Sequence, residues 1–282
     1  MAARRKATSS RAGILRPAEL ARHAVHERTP CRPELDPWVE NHWSLRWSLP
    51  PGTTFTSHTL PHPACTLSVE LGHPRAGVGD DRVVLTGVVT RRFDVEIADD
   101  GWVHAVKFRP GGLAALTGQP ARPLTDRTVP ARGLLPDDVV EAFRSVGPGT
   151  SSEGAAATTG AAVAAWAAGH EVDPDHDLVL RLVGDMLADR TLLRVAQVEE
   201  RHGVPHRRLQ RLFAHYVGVG PKWVLARYRM HDVVSALDAG YDGSLADLAA
   251  THGWYDQAHF GRDFRRLVGV APSDYRARAQ PV

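Results

Sequence analysis

Cysteine is nearly absent: only Cys31 and Cys65 stand in a chain of 282 residues. Two cysteines build no disulfide framework and make no CxxC pair, so reduced thiols in a cytoplasmic protein are expected. Long apolar runs are missing too. Nothing approaches the roughly 18 residues of a membrane span, and the basic opening MAARRKATSSRAG leads into no secretory-type apolar stretch. It reads as a disordered tail, residues 1–13, and no membrane role is expected. Lysine is scarce, 3 against 31 arginines, which has the look of coding bias and lowers the weight of any single arginine. Acidic residues vanish from Arg201 to Met230, where seven Arg or Lys occur; with a net charge of +2, the remainder is net acidic. No P-loop, dinucleotide fingerprint, HExxH or GxSxG is present, so neither catalysis nor a cofactor is expected.

What is present divides the chain in two. A 43% hydrophobic content is ample for folded cores, and the length suits two domains. From 14 to 145 the chain is rich in Pro, Gly, Trp and short β-type runs. TLSVEL (66–71), RVVLTGVVT (82–90), RFDVEIA (92–98) and WVHAVKF (102–108) read as strands separated by LPPG, GVGDD, ADDG and RPGG turns, which suggests a sandwich or barrel. A short helix is expected at 137–144, after Pro136. Residues 146–173 read as a linker with an Ala-rich helix, weakened by Gly160 and Gly169. Beyond Pro174 every segment has helical periodicity, so 174–282 is expected to be all-α. The fold class is therefore α+β and multidomain, with a β-rich N-terminal domain ahead of an all-α C-terminal domain.

The helical half contains a repeat. HGVPHRRLQRLFAHYVGVGP (202–221) returns as HGWYDQAHFGRDFRRLVGVAP (252–272), with Leu209, Arg211, Phe213, Val217, Gly218, Val219 and Pro221 each recurring 51 positions later, Leu209 as Phe260 and the others unchanged. Each copy is a short apolar helix ending at a glycine, a turn, then a second helix. In the second copy Ser244 suits the N-cap, with Asp247 three residues on. Helix, glycine turn, helix is the helix-turn-helix arrangement, whose second helix enters the DNA major groove. Leu209, Leu212, Phe213 and Tyr216 in one copy, and Phe260, Phe264 and Leu267 in the other, face inward. The segment 221–240 joins the two units as a connecting helix, with Arg227 and Arg229 expected outward.

GWYDQAHFGRDFRRLVGVAPSDYR (253–276) resembles the second unit of AraC/XylS-type transcriptional regulators, whose pattern runs close to GF-x-D-Q-x-H-F-x-R-x-F-(K/R)-x-x-x-G-x-(S/T)-P-x-x-Y-R. Trp254 takes the place of the aromatic and Ala271 that of the usual Ser. The likeness covers about 174–280. LPHP (60–63), GVVTRRF (87–93) and KFRPGG (107–112) resemble the variable N-terminal domains of some members.

The resemblance implies a sequence-specific regulator of transcription whose partner is double-stranded promoter DNA. Arg207, Gln210 and Arg211 of the first copy, and Gln257, His259 and Arg262 of the second, are then the base-reading residues. Arg can fork to guanine O6 and N7, and Gln can pair both ways with adenine. Ala258 and Gly261, also on that face, have no side chain that hydrogen-bonds. Arg208, Lys222, Arg227, Arg265 and Arg266 are candidate phosphate contacts, which position the protein without specifying sequence. The N-terminal domain would sense a small-molecule effector or mediate self-association; RNA polymerase and a second copy of the chain are the further partners such a regulator admits. The alternative is an enzyme domain fused to a DNA-binding module for autoregulation, which needs a pocket with convergent polar groups. Among the 15 histidines, His58 and His62 with Cys65 could offer three metal ligands, but Pro61 and Pro63 make a turn there and no fourth ligand is evident. No metal is expected.

Overall fold

The computed structural model describes residues 7–9, 13–72 and 78–279. After the single turn of α1 (Pro17–Leu20) come β1 (Ala24–Pro30), β2 (Val39–Ser48), β3 (Thr54–Thr59), β4 (Thr66–Leu71), β5 (Val83–Thr86), β6 (Phe93–Ala98) and β7 (Asp100–Phe108). A short helix α2 (Gly112–Thr117) and strand β8 (Thr128–Pro130) lead to α3 (Asp137–Arg144) and α4 (Ser152–Ala167). Six strands form one sheet in the order β1-β2-β7-β4-β5-β8, while β3 and β6 form a separate two-stranded ribbon. Alternation sorts the two faces. On β7, Trp102, His104 and Val106 point one way, toward α3 and α4. Val103 points the other way, packing with Trp47, Leu49 and the ribbon residue Ile97. The expected sandwich is thus half realised: a ribbon covers one face and two helices the other.

Two boundaries differ from the expectation. The run 82–90 is a strand only to Thr86, because the chain then leaves the sheet to pass under a neighbouring turn. A Cβ at Gly87 would lie 2.0 Å from the Leu124 carbonyl oxygen. The Ala-rich segment is not a linker but a core element. Ala155, Ala156, Thr159, Gly160, Val163 and Ala167 form its buried stripe, and small residues let α4 approach the sheet so closely that a Cβ at Gly160 would stand 3.2 Å from the His42 ring. Of the expected tail, residues 1–6 and 10–12 lie outside the described residues, and Thr8 is buried, with the Tyr228 hydroxyl donating to its carbonyl at 2.6 Å.

The rest is helical: α5 (Pro174–Ala188), α6 (Val195–His202), α7 (His206–Leu212) running into a π-helical turn at Phe213–Val217, α8 (Pro221–Asp238), α9 (Leu245–Thr251), α10 (Gln257–Val268) and α11 (Pro272–Ala279). The two copies superimpose element on element in the sequence: α6 and α7 answer to α9 and α10, and Pro221 opens α8 as Pro272 opens α11. Gly203 (φ 61°) and Gly253 (φ 78°) end the first helices in the left-handed conformation that a Cβ disfavours. Ser244 caps α9 by accepting from the amides of Ala246 and Asp247.

The connecting helix α8 is buried on three sides. Val224, Leu225 and Tyr228 complete the core around α5, α6 and α7; Met230, Val233, Val234 and Leu237 complete a second core with Trp254, Phe260, Phe264 and Tyr275. The third side meets the N-terminal domain, which also inserts Leu15 and Leu60 into the second core.

Candidate nucleic-acid interface

Each second helix buries one face and exposes the other. In α7, Leu209 and Leu212 are buried while Arg207, Arg208 and Arg211 are exposed and Gln210 is half-buried. In α10, Phe260, Phe264, Leu267 and Val268 are buried, and Gln257, Ala258, His259, Arg262, Arg265 and Arg266 are exposed. Both helices are set from their N-termini. The Asp256 carboxylate accepts from the His259 amide at 2.6 Å, capping α10. His206, opening α7, is tied to Glu199 of α6 at 2.6 Å.

The cations differ in how they are engaged. Arg208 pairs with Asp175 at 2.8 Å and Arg201 with Asp189 at 2.5 Å. Asp263 gathers three groups of α10 and its turn: Arg266 at 3.0 Å, His259 at 3.3 Å and the Trp254 indole N–H at 3.1 Å. His259 therefore leans along its own helix. Among the described residues the guanidinium groups of Arg207, Arg211, Arg262 and Arg265 and the Lys222 ammonium have no such partner.

Arg227 is corrected. It is 1% exposed, lies over the Trp223 ring at 4.5 Å, and donates from Nη2 to the Thr90 carbonyl of the N-terminal domain at 2.5 Å. Burial, with Arg266 nearby, pulls its pKa down to about 9 although Asp126 opposes this. A side chain closed off beneath another domain is not positioned to meet a phosphate. Arg229 also turns inward, lying 5.0 Å over the Trp254 ring and donating to the carbonyl of Gly253 at 3.2 Å. Both were misplaced for one reason: a long arginine can cover apolar surface and reach a distant carbonyl, and helical periodicity does not reveal a third packing partner.

The partner is a pair of N-terminal loops, 87–92 and 121–127, fastened to each other. Asp126, held in the left-handed region at φ 58°, accepts from the Thr90 amide at 2.7 Å and the Thr90 hydroxyl at 2.6 Å. These loops reach the C-terminal end of both recognition helices. The Ala121 amide donates to His215 O at 2.7 Å and the Thr125 hydroxyl to Gly218 O at 3.0 Å. At the other copy, Arg92 Nη1 donates to Val268 O at 2.7 Å. A helix C-terminus has unsatisfied carbonyls and partial negative charge, so a cationic cap is favourable there. Sequence reasoning found none of this; the only signal was the resemblance at 87–93.

Tyr255 was missed as well. It is 93% exposed in the turn before α10, beside Gln257, where its hydroxyl suits a phosphate oxygen. The candidate metal ligands do not act together: His58 pairs with Asp94 at 2.8 Å, His62 stacks on His231 at 4.2 Å, and Cys65 is buried, its thiol pushed up to about 12 by burial. The interior of the β-rich domain is filled by Trp38, Val69, Val83, Trp102, Val106 and Phe108, and a cavity of about 490 Å³ opens beside it between Val69, Asp81, Arg82, Arg132 and Arg144.

Two helix-turn-helix units on one chain, each with an exposed polar face on its second helix, define a DNA-binding protein. A helix-turn-helix domain family matches residues 198–278, and a domain family of unknown function matches 27–130. The C-terminal domain is an AraC-type helix-turn-helix domain, the DNA-binding module of a transcription regulator. No curated protein matches in sequence. A solved transcriptional regulator from Chromobacterium violaceum, of the AraC-type DNA-binding-domain proteins, is 25% identical over 36% of this chain and 91% of its own, with a TM-score of 0.33. ToxT from Vibrio cholerae O395, bound to (E)-4-(8-methylnaphthalen-1-yl)but-3-enoic acid, is 12% identical over 92% of this chain and 100% of its own, with a TM-score of 0.42. No described helix is long and apolar enough to cross a membrane.

Proposed function

We propose that α7 and α10 are two reading heads of unequal specificity on one polypeptide. Arg207, Gln210 and Arg211 read one half of the site; Gln257, His259 and Arg262 read the other; Arg208, Lys222, Arg265 and Arg266, with Tyr255, hold phosphates. The exposed polar faces of the two helices carry this reading. Residues 14–167 form the regulatory domain and 174–279 the DNA-binding domain, with the short segment between them as the joint. The regulatory domain sets the presentation of the heads through the loops at 87–92 and 121–127, in response to a small-molecule effector or to self-association, in the cytoplasm. A second copy of the chain and RNA polymerase are partners in this scheme, and no catalytic role is proposed.

The test is selection of bound sites from random DNA with the whole chain and with two variants. Heads entering successive major grooves require a site with half-site centres roughly 34 Å apart, asymmetric because the base-facing residues differ. Arg211→Ala is expected to relax one half and Arg262→Ala the other, each costing about 1–3 kcal/mol. If both variants recovered the same motif as the native chain at every position, the assignment would be wrong.

A further inference from the structure

Helix α7 exposes its base-reading residues along one stripe, and that stripe does not end with the helix-turn-helix unit. Positions three, four and seven residues apart share a helical face, so the line through Arg207, Gln210 and Arg211 continues to Ala214. Arg211, Ala214 and His215 form one wall of an open cleft of about 640 Å³. The opposite wall belongs to the N-terminal domain: Pro120, Arg122 and Pro123. That wall is fixed against α7 by the Ala121 amide on His215 O and the Thr125 hydroxyl on Gly218 O, and the prolines at 120 and 123 restrict its backbone.

Arg122 is exposed, and among the described residues its guanidinium makes no hydrogen bond or ion pair; the same holds for Arg211 across the cleft. By contrast Arg208, on the flank of the same helix, is already held by Asp175. Two unpaired cations from two domains thus share one cleft at the end of the base-reading stripe. Like charges brought together without a counterion repel, and a polyanion removes that repulsion. One helical turn is about 5.4 Å and the major groove about 12 Å wide, so a side chain one turn beyond the base-reading residues stands at the groove margin, where phosphates run.

We propose that Arg122 contacts a DNA phosphate, which makes the N-terminal domain part of the DNA-binding surface. The proposal rests on α7 being the first reading head. Its consequence is that Arg122 adds affinity and register but no sequence information, and that an uncoupling of the loop at 121–127 from α7 withdraws one phosphate contact.

The test uses the full chain, a fluorescein-labelled duplex carrying the site recovered by selection, and an unrelated duplex, with binding followed by anisotropy across a salt series. Arg122→Ala is expected to weaken both duplexes alike, by about threefold to tenfold, and to make the slope of log affinity against log salt shallower by about one. Arg122→Glu should weaken both further and Arg122→Lys should restore most of the loss. The side chain is exposed, and an unchanged Tm for each variant confirms that folding is not the cause. Unchanged or tighter binding of Arg122→Ala and Arg122→Glu, with the native slope, overturns the proposal, since the loop then lies clear of DNA or obstructs it. A changed motif with an unchanged slope overturns it too. Arg211→Ala separates the two failures: if it alters the motif while Arg122→Ala does nothing, only the phosphate contact is lost, and if neither has any effect the first reading head is also misassigned.

Discussion

Acid should unfold this protein in a pH window where most carboxylates are still charged. His42, His62, His104 and His231 are each less than a tenth exposed. His42 and His104 stack at 5.7 Å beneath α4, and burial holds both at about 4, with the charge of His42 adding to the effect at His104. His62 and His231 stack between the N-terminal domain and α8. Burial, then cations including Lys107 and Arg227, keep His62 well below its ordinary value and His231 at about 3. The unfolded chain takes up these protons near pH 6.5 and the folded chain does not, so stability is present above 6.5 and falls with pH until about 4. Two aspartates oppose the trend, Asp232 and Asp238, the latter raised by burial. Burial raises Asp232 to about 6 despite Arg190 at 2.6 Å, so below pH 6 the folded state gains one proton that the unfolded chain does not take up until lower pH.

The four stacked histidines outnumber Asp232 by three protons, while His26, which burial also holds at about 4, adds to the loss and Asp238 offsets it. At about 1.4 kcal/mol per proton per pH unit this amounts to roughly 4 kcal/mol for each unit below pH 6. A typical domain has only about 5–15 kcal/mol in total, so two units suffice to unfold a protein of ordinary stability. The assay is thermal denaturation by circular dichroism at constant ionic strength from pH 6.5 down to 4. Asp189, lowered to about 2 by the Thr191 hydroxyl and amide and by Arg201, loses its contribution only below the ordinary aspartate value, outside this window. A Tm that stays level from pH 6.5 to 4 would refute the assignment of these histidines as neutral in the fold.

Two further outcomes test the packing and the division of the chain. A Cβ at Gly112 would lie 2.1 Å from the Trp38 carbonyl oxygen, a backbone atom with no rotamer to yield, so Gly112→Ala is expected to destabilise by about 1–3 kcal/mol; native Tm in the purified variant would show that α2 relaxes freely. A fragment of residues 174–282 is expected to keep its helical circular dichroism and bind DNA, but to melt below the full chain. It loses Leu15 and Leu60 from the second core and bares Arg227 and His231; equal melting temperatures would mean the interface contributes nothing.

The helical half was legible because its information is local and written twice. The periodicity of Leu209 with Leu212 and of Phe260 with Phe264, and the glycines at 203 and 253, each specify a conformation within a few residues, and the 51-residue offset repeats them. The β half was legible where one face was plainly apolar, as in TLSVEL. It was illegible in β2, whose sequence VENHWSLRWS puts His42 and Ser44 on a buried face. Ser44 is accommodated by a distant partner, Ser44 and Thr159 each lying 3.0 Å from the His104 ring, while His42 stacks on that ring at 5.7 Å, and no window of sequence holds both ends. The Ala-rich α4 was read as linker for the same reason: its small residues matter only against the sheet they approach. The base-reading faces came from position along a helix, whereas Arg227 failed because its environment is set by Thr90, 137 residues away.

Whether the N-terminal loops can govern the reading heads is a question of magnitude. Moving a two-state equilibrium from 1:99 to 99:1 takes about 5.5 kcal/mol of differential free energy. The contacts from these loops to the helical domain are two neutral hydrogen bonds, Ala121 to His215 and Thr125 to Gly218, and two charge-assisted ones that join Arg92 to Val268 and Arg227 to Thr90. At about 0.5–1.5 kcal/mol for a neutral bond and 1.5–3 for a charged one, their sum is roughly 4–9 kcal/mol, which spans the requirement. Fewer contacts would leave the heads independent of the regulatory domain. Apolar contacts add to this sum, because Val88 and Ala121 of the loops belong to the same buried cluster as Tyr216 and Val217. The fastening of the two loops to each other through Asp126 and Thr90 matters here. A displacement of one loop is passed to the other, so a single event in the N-terminal domain would release α7 and α10 together, which is what a site read by both heads requires.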